Sequence, residues 1–363
     1  MNAASGDRAT PQSEQYRDGQ FHNVVTPKQP SGRQLLSLWW QFMFKDTRLT
    51  VPPAPLQLVP LTRAQLDQAP DGSIYRLGHS TVLLKLQGKY WMTDPVFSER
   101  ASPVQWAGPK RFQPTPIALA ELPPLAAVIL SHDHFDHLDR ETVIALADKA
   151  ELFVTPLGVG DHLVRWGIAA AKVRQLDWWQ STQVGGINFT ATPAQHFSGR
   201  SLFAKNPTLW ASWVIDTGSE RIYFSGDTGY FAGFAEIGRR HGPFDVTLLE
   251  AGAYDKQWEG VHMLPEQVIQ AHQDLQGKWL MPIHNATFDL AFHSWDEPLE
   301  KLLALSAAHD VRLTMPRIGE PARLNDLQPA KPWWRAAGTR NEVAGSTQAA
   351  SGEAPRDILA SPR

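Results

Sequence analysis

The sequence predicts an α/β protein in which two β-sheets stack face to face with helices on their outer sides, a four-layer αββα sandwich. Short apolar runs bounded by turn residues indicate strands, and they outnumber the segments with helical spacing. The predicted helices are spaced between groups of strands, as such a sandwich requires. The predicted strands are 126–130, 151–155, 173–177, 187–192, 210–216, 221–225, 245–250 and 279–283, after a hairpin running into a third strand over 75–95, and the predicted helices are 139–149, 265–275 and 296–308.

One domain over residues 61–335 accounts for this order, because a chain of 363 residues with 42% hydrophobic content can bury a large core. Residues 1–60 are predicted to be an N-terminal extension. The first 30 of them are polar and rich in Pro, Gln and Ser, so they should stay extended until something packs on them. Residues 336–363 turn to Gly, Ser, Ala and Pro and are predicted to be an unfolded tail.

Within the extension, residues 35–44 are predicted to form a short aromatic helix with basic residues on its flanks. Two interpretations fit this pattern. The tryptophans fit a lipid headgroup layer, which would make the protein peripheral to a membrane, or the helix docks on the core. Both remain open from the sequence.

The three longer helices carry recognisable start signals and buried stripes. A residue that can cap, or a proline at the first helical position, begins each one, and in the first and third helices apolar residues then recur at helical spacing. These signals are Asp139 before Val143, Leu146 and Ala147, Pro265 with His262 just ahead of it, and Asp296 before Leu299, Leu302 and Leu303.

Composition excludes several classes of protein. The net charge is −3 and there is no basic tract, so no nucleic-acid partner is expected. Cysteine is absent, so any metal must be held by histidine nitrogens and carboxylate oxygens. No secretory signal pattern begins the chain, and no apolar run approaches the roughly 20 residues that cross a bilayer. We therefore expect a cytoplasmic protein.

The strongest chemical signal follows the predicted strand 126–130. Four candidate metal ligands, His132, His134, Asp136 and His137, fall within six residues. Three imidazoles this close would repel one another when protonated unless a cation held them. This loop can supply ligands to two adjacent metal ions.

Other predicted strands also end in polar residues. His196 follows 187–192, Asp227 follows 221–225, and His284 follows 279–283, while Asp94 ends the third strand of the 75–95 segment. Side chains at such strand ends converge on one edge of a sheet. The sequence therefore predicts that they join the loop ligands.

Taken in order, these ligands resemble those of the metallo-β-lactamase superfamily. Longer segments narrow the resemblance to the family of phospholipases D that hydrolyse N-acyl-phosphatidylethanolamine. The resemblance covers residues 70 to about 325 and is carried by 93–103, 108–112, 176–179, 225–230, 261–266 and 283–288.

The resemblance implies two zinc ions per chain, although other divalent metals also fit. The implied ligands are His132, His134 and His196 for one ion and Asp136, His137 and His284 for the other, with Asp227 bridging them. It also implies that Asp94, His262 and Asp136 act in catalysis. This chain has Asn285-Ala286 where the family has Trp-Gly, so we expect a reshaped pocket wall. His79 and His293 fit either a supporting role beside the ligands or a purely structural one.

The function implied is that of a zinc-dependent phosphodiesterase acting on a phospholipid. A metal-bridged hydroxide would attack the phosphate and release an N-acylethanolamine and phosphatidic acid. Asp94 would accept a hydrogen bond from a ligand imidazole or from the hydroxide, and His262 would contact the phosphate or protonate the leaving alkoxide.

Other functions stay open at this stage. The same chemistry suits a metal-dependent lactonase or carboxylic ester hydrolase, and the scaffold could hold a di-iron redox centre. A non-catalytic module that binds a membrane surface is a further alternative. A homodimer is compatible with all of these.

Overall fold

The computed structural model describes residues 13–26, 37–38, 40–41, 44–201 and 205–338. Its centre is a pair of mixed β-sheets that confirms the predicted α/β sandwich. The seven-stranded sheet has the order β15-β3-β4-β5-β6-β7-β8, and the six-stranded sheet has the order β14-β13-β12-β11-β10-β9. The strands are β3 Ser73–Gly78, β4 Thr81–Leu86, β5 Lys89–Thr93, β6 Leu125–Ile129, β7 Phe153–Pro156, β8 Val173–Leu176, β9 Ser181–Val184, β10 Ile187–Thr192, β11 Ser212–Asp216, β12 Arg221–Phe224, β13 Phe244–Glu250, β14 Gly277–Ile283 and β15 Pro321–Arg323.

The helices lie outside the two sheets. They are α1 Thr47–Thr50, α2 Arg63–Gln68, α3 Arg140–Leu146, α4 Val159–Arg165, α5 Gly233–His241, α6 Pro265–Asp274 and α7 Glu297–Ala308. Residues of α2, α3 and α4 share one apolar cluster with the seven-stranded sheet, and residues of α5, α6 and α7 share another with the six-stranded sheet. A third cluster, which includes Trp91 and Trp213, joins the inner faces of both sheets. These clusters give the four layers.

The strand pattern places several strand ends on one side of the sandwich. β5, β6 and β7 are parallel neighbours, and so are β12, β13 and β14. β3 is antiparallel to β4 and β4 to β5, so β3 runs in the direction of β5. The same reasoning through β11 gives β10 the direction of β12. The carboxyl ends of these strands therefore form one edge in each sheet.

Among the described residues, the helices α1, α2, α4 and α5, the strands β9 and β15 and a short hairpin over residues 16–21 were not predicted. Glycines obscure α4 and α5, because glycine lowers helix propensity. In α5, a Cβ on Gly238 would lie 2.1 Å from the carbonyl oxygen of Asp274, so close packing on α6 requires glycine there. In α4, a Cβ on Gly160 would lie 2.5 Å from Val173. Close packing therefore requires glycine at these two positions, although glycine has a low helix propensity.

The predicted caps behave differently from expectation. Asp139 and Asp296 occupy the N-cap positions of α3 and α7, but neither side chain makes a capping hydrogen bond. The Asp139 carboxylate instead accepts hydrogen bonds from the backbone N–H groups of Phe97 and Ser98. It thereby anchors the segment that follows β5. The helix also ends at Leu146 rather than at the predicted residue 149.

The predicted N-terminal extension contributes to the core. A short hairpin of β1 (Tyr16–Arg17) and β2 (Gln20–Phe21) packs against the sandwich, and Phe21 lies fully buried in the cluster between the sheets. Of the predicted helix 35–44, residues 37, 38, 40, 41 and 44 are helical, and the others lie outside the described residues. Leu38 is buried, whereas Trp40 and Phe44 are exposed. Residues 339–363 of the predicted tail also lie outside the described part of the chain.

Candidate metal centre

All seven residues that the sequence suggests as ligands meet at the edge of the sandwich described above. His132, His134, Asp136 and His137 lie in the loop between β6 and α3. The remaining three follow strands that end on this side: His196 comes after β10, Asp227 after β12 and His284 directly after β14. The loop of one sheet thus faces three strand ends of the other.

Three histidines form a first cluster. Nε2 of His132 lies 2.9 Å from Nδ1 of His134, and Nε2 of His196 lies 3.2 Å from the same Nδ1. His132 and His196 are buried and His134 is half-buried, and their ligand atoms lie within 4.8 Å of one another. Three imidazole nitrogens that converge in this way can hold one divalent cation.

A second cluster gathers around the Asp136 carboxylate. Oδ2 of Asp136 lies 3.4 Å from Nε2 of His284 and 3.6 Å from Nε2 of His137. His79, whose role the sequence left open, belongs to this cluster as well, with Nε2 3.0 Å from the same oxygen. The structure therefore places His79 beside the candidate ligands.

Asp227 lies between the two clusters. Its Oδ1 is 3.1 Å from Nε2 of His137, and its Oδ2 is 3.0 Å from Nε2 of His284. Oδ2 also lies 3.9 Å from Nε2 of His132 and 3.8 Å from Nε2 of His196. One carboxylate is thus shared by both sets of imidazoles.

The second ring nitrogen of three candidate ligands is held by the protein. Nδ1 of His132 lies 2.9 Å from Oγ of Ser131, and Nδ1 of His137 lies 2.6 Å from Oδ2 of Asp94. Nδ1 of His196 lies 2.9 Å from the carbonyl oxygen of Val261, to which it donates. Such partners orient the ring and leave Nε2 free to bind a cation.

The electrostatics of the site differ between the two clusters. Burial lowers the pKa of His132, His134 and His196, so these rings stay neutral. Burial acts to raise the pKa of Asp227, but the neighbouring His137 and His284 outweigh it and hold this pKa well below its usual range. Burial acts to lower the pKa of His284, but Asp227 and Asp136 raise it to about 9.

The donor set fits divalent cations. Nε2 of His137, Nε2 of His284 and Oδ1 of Asp227 are buried and have no hydrogen-bond partner within the described part of the chain. Buried polar atoms are normally paired, so unpaired nitrogen and oxygen atoms that face one another fit a shared positive ion. Imidazole nitrogens and carboxylate oxygens without thiolates suit zinc and related metals.

Asp94 and His262 occupy different positions relative to the clusters. Asp94 is fully buried behind His137 and accepts hydrogen bonds from the N–H and hydroxyl of Ser131. Asp94 was expected to accept a hydrogen bond either from a ligand imidazole or from the hydroxide. This geometry supports the first role, with His137 as the imidazole. His262 keeps a side-chain exposure of 13%, and a nitrogen of its ring lies within 4.8 Å of the ligand atoms of His196 and Asp227.

His293 does not join the clusters. Its Nδ1 donates to the carbonyl oxygen of Ser294 and its ring stacks on Tyr254, with 4.4 Å between ring centroids.

The pair Asn285-Ala286, which departs from the family pattern, directly follows the candidate ligand His284. Asn285 accepts a 3.0 Å hydrogen bond from the fully buried Arg76, and Ala286 has a φ of 54°, a conformation that glycine adopts more easily.

Two further residues at the site were missed by the sequence analysis. Glu250 ends β13 on the same edge and has its ligand oxygen within 4.8 Å of those of His262 and His284. A charged residue at the end of an apolar strand was a usable signal. Asn23 donates to the carbonyl oxygen of His196 at 2.7 Å and accepts from the N–H of His196 at 3.0 Å. Nothing in the local pattern around Asn23 indicates this contact.

Comparison with known proteins agrees with this geometry. Residues 90–285, more than half of the chain, match a family model described as the beta-lactamase superfamily domain. The chain belongs to this superfamily. By family, the chain is a metal-dependent hydrolase.

Relatives within the metallo-β-lactamase superfamily cover most of the chain. An uncharacterized protein of Mycobacterium tuberculosis is 42% identical over 92% of this chain and 91% of its own length. The N-acyl-phosphatidylethanolamine-hydrolyzing phospholipase D 1 of Caenorhabditis elegans is 36% identical over 64% of this chain and 69% of its own length. An isothiocyanate hydrolase from Delia radicum gut bacteria shares the fold, with a TM-score of 0.55, 21% identity and coverage of 69% of this chain and 97% of that one.

Proposed function

We propose that this protein is a two-zinc phosphodiesterase that cleaves N-acyl-phosphatidylethanolamine into an N-acylethanolamine and phosphatidic acid. The observation that carries the proposal is the place of Asp227, whose oxygens lie 3.0 to 3.9 Å from imidazole nitrogens of both clusters. A carboxylate between two ligand sets suits two ions held side by side, the arrangement of many phosphodiester-cleaving enzymes. The 36% identity to the phospholipase D of C. elegans supports the choice of substrate.

In this proposal the two clusters each hold one zinc ion. The ligands would be His132, His134 and His196 for one ion and Asp136, His137 and His284 for the other, with Asp227 shared. When bound, the ions lower the pKa of a water molecule and take up negative charge from the phosphate oxygens. The buried positions of the ligands exclude other water from this chemistry.

Other residues prepare the site for the substrate. Asp94 keeps the proton of His137 on Nδ1, so that Nε2 points into the site. Asp94 touches neither substrate nor water in this role and is a positioning residue. His262 is partly exposed beside both clusters, so its ring can reach the phosphodiester and give a proton to the leaving alkoxide.

The test combines metal analysis with a substrate panel. We expect two equivalents of zinc in the purified protein and release of N-acylethanolamine from N-acyl-phosphatidylethanolamine. The double variant His132→Ala, Asp136→Ala should lose zinc and at least 1,000-fold of the activity, since both clusters lose a ligand. The matched control is His309→Ala, an exposed histidine at the end of α7. Turnover of lactones or carboxylic esters alone would overturn the proposed substrate, and full activity of the double variant would overturn the metal mechanism.

We also propose that exposed apolar side chains in α1 and just before it bring the protein to a lipid surface. Trp40, Phe44 and Leu49 are exposed by 59%, 67% and 64% of their surfaces. Lys45 lies between them and forms a 2.6 Å ion pair with Asp289, which follows His284 closely in sequence. Docking would therefore occur near the candidate metal centre. No helix in the described ranges is long and apolar enough to span a membrane.

Vesicle binding tests this surface. The double variant Trp40→Ala, Phe44→Ala should bind anionic phospholipid vesicles about tenfold more weakly in co-sedimentation, because both aromatic side chains lose their contact with the interface. Trp106→Ala is the matched control, since Trp106 is exposed by 83% and lies elsewhere in the chain. Equal vesicle binding by the native protein and both variants would show that these side chains do not contact lipid.

That the protein forms a homodimer stays a prediction.

A further inference from the structure

A buried carboxylate outside the two ligand clusters faces His262. Glu250 is the last residue of β13 and is fully buried. Its Oε2 lies 3.5 Å from Nδ1 of His262, and neither atom has a hydrogen-bond partner among the residues the structure describes. Its Oε1 accepts a 2.5 Å hydrogen bond from the backbone N–H of Met263. One oxygen is thus fixed, and the other is directed at the imidazole.

The burial of this pair needs an explanation. Buried polar atoms are normally paired, whereas here two unpaired polar atoms face each other. A small rotation of the His262 ring would bring its Nδ1–H onto Oε2, and such contacts commonly tighten when a substrate binds. The Met263 bond prevents the carboxylate from turning away. The local structure is therefore built to bring the ring to the carboxylate.

We propose that Glu250 is a positioning residue that keeps a proton on Nδ1 of His262 and so presents Nε2 to the leaving group of the substrate. This inference rests on the proposed phosphodiesterase function. In the reacting state the ring carries a second proton on Nε2, and the Glu250 carboxylate stabilises the resulting positive charge. This proton moves to the leaving oxygen as the bond between that oxygen and phosphorus breaks. The attacking water forms the new bond to phosphorus, and the proton that it releases returns to Nε2. Glu250 keeps the Nδ1 proton in place throughout.

A purely structural role for Glu250 is the competing explanation, because the Met263 bond alone could anchor the segment that carries His262. The variant Glu250→Gln distinguishes the positioning role from the purely structural role. Its amide oxygen can keep the Met263 bond, while its NH₂ group faces His262 and can only donate. Nδ1 must then accept, so the ring proton moves to Nε2. The fold is kept and the tautomer is reversed.

The first measurement reads the tautomer directly in the zinc-loaded protein. Histidine labelled with ¹⁵N gives separate signals for protonated and unprotonated ring nitrogens, and the signals of His262 are those absent from the variant His262→Asn. At a pH where the ring is neutral, we expect its one proton on Nδ1 in the native protein and on Nε2 in Glu250→Gln. The same tautomer in both proteins would overturn the inference. This measurement needs no substrate, so it stands even if the proposed function fails.

The second measurement compares two leaving groups. Glu250→Gln should lower kcat about 100-fold for an alkyl phosphodiester such as N-acyl-phosphatidylethanolamine, within the range that general acids contribute. It should change KM little and lower kcat less than threefold for a 4-nitrophenyl phosphodiester, whose leaving group needs no proton. Equal losses on both substrates would indicate a structural role and overturn the inference.

Two controls complete the experiment. Asp245→Asn removes an acidic side chain from the same strand, where it pairs with Lys278, and should leave both rates unchanged. In the His262→Asn background, Glu250→Gln should cause no further loss, because Glu250 acts through that ring. An additional loss there would contradict the inference. If the native protein cleaves neither phosphodiester, the proposed function fails and the tautomer alone decides on Glu250.

Discussion

Several residues around the candidate metal centre have left-handed backbone conformations although none of them is glycine. The φ angles are 51° at His79, 32° at Asp94, 61° at His284 and 54° at Ala286. Each such residue costs about 1–3 kcal/mol and persists only where surrounding contacts fix it. At His79 the backbone N–H donates to Thr287, and the carbonyl oxygen accepts from the N–H of His284. Strain concentrates where strands turn their side chains into the site.

These conformations explain which site residues the sequence could predict. His196, Asp227 and His284 were recognisable because each is polar and follows an apolar strand. His79 follows a strand as well, but its place beside Asp136 depends on a tight turn between β3 and β4 that the residue types do not specify. Asn23 was not predictable at all, because its contact with His196 joins residues 173 positions apart.

His79 is predicted to support the second cluster. Burial lowers the pKa of this ring to about 3, so it is neutral, and its Nε2–H can donate to the Asp136 carboxylate. In the variant His79→Phe we expect about 10- to 100-fold weaker binding of one of two zinc equivalents, as is typical when a partner of a metal ligand is lost. Zinc content after dialysis against buffers of fixed free zinc measures this.

Two comparison variants sharpen the His79 test. His79→Gln keeps a donor near the carboxylate and should recover part of the affinity. His293→Phe replaces another enclosed histidine that contacts Ser294 instead of the clusters, so it should keep both equivalents. If His79→Phe binds zinc as tightly as the native protein, His79 has only a structural role and does not support the second cluster.

At the scale of elements, the sheets were predicted better than their surroundings. β10 has the predicted bounds, and β12 and β13 lie within one residue of them, because continuous apolar runs mark buried strands. The helices α4 and α5 were missed because glycines serve their packing rather than their helix propensity. Element type follows from local pattern only where tertiary contacts agree with it.

The contact between α6 and β13 predicts a pH dependence of stability. Burial lowers the pKa of His272 to about 4, and its Nδ1 lies 2.8 Å from Oγ1 of Thr247. The unfolded chain binds a proton near pH 6.5, which the folded protein resists until about pH 4. The stability contributed by the neutral ring is therefore present above pH 6.5 and is lost as the pH falls towards 4.

Denaturant unfolding checks this dependence. We expect the free energy of unfolding of the metal-free protein to fall between pH 7 and pH 4.5, and to fall less in the variant His272→Gln, which cannot titrate. Metal-free protein is used for both, so that metal release at low pH does not add to the dependence, and the remaining titration of the ligand residues is common to both proteins. Parallel curves for the two proteins would rule out His272 as a source of acid sensitivity.

At the scale of the whole molecule, the candidate centre lies where the two sheets meet, so its occupancy should stabilise both. Zinc that binds only the folded chain adds about 4 kcal/mol when its free concentration is 1,000 times the dissociation constant. We expect a chelator to lower the unfolding temperature by several degrees and added zinc to restore it. The double variant His132→Ala, Asp136→Ala should show no such response, and an equal response in that variant would place the stabilising metal elsewhere.

The fold class could be predicted from the order of elements. The docking of the N-terminal segment could not, because a polar segment rich in turn residues carries no packing signal.

The side chain of Asn23 makes hydrogen bonds with both the N–H and the carbonyl oxygen of His196. The variant Asn23→Ala is predicted to weaken zinc binding about tenfold, because His196 loses the group that fixes its backbone. Zinc titration measures this. Gln15→Ala, on the same hairpin segment, is the control and should bind zinc like the native protein.

The pairing of Asn23 with His196 has a consequence for synthesis of the protein. Asn23 leaves the ribosome early, yet its partner is made 173 residues later, and the last candidate ligand, His284, later still. A nascent chain therefore cannot complete the metal centre until nearly the whole sandwich has been translated. Any metal can therefore bind only after almost the whole sandwich has folded, and a chain that ends before His284 would lack one of the candidate ligands.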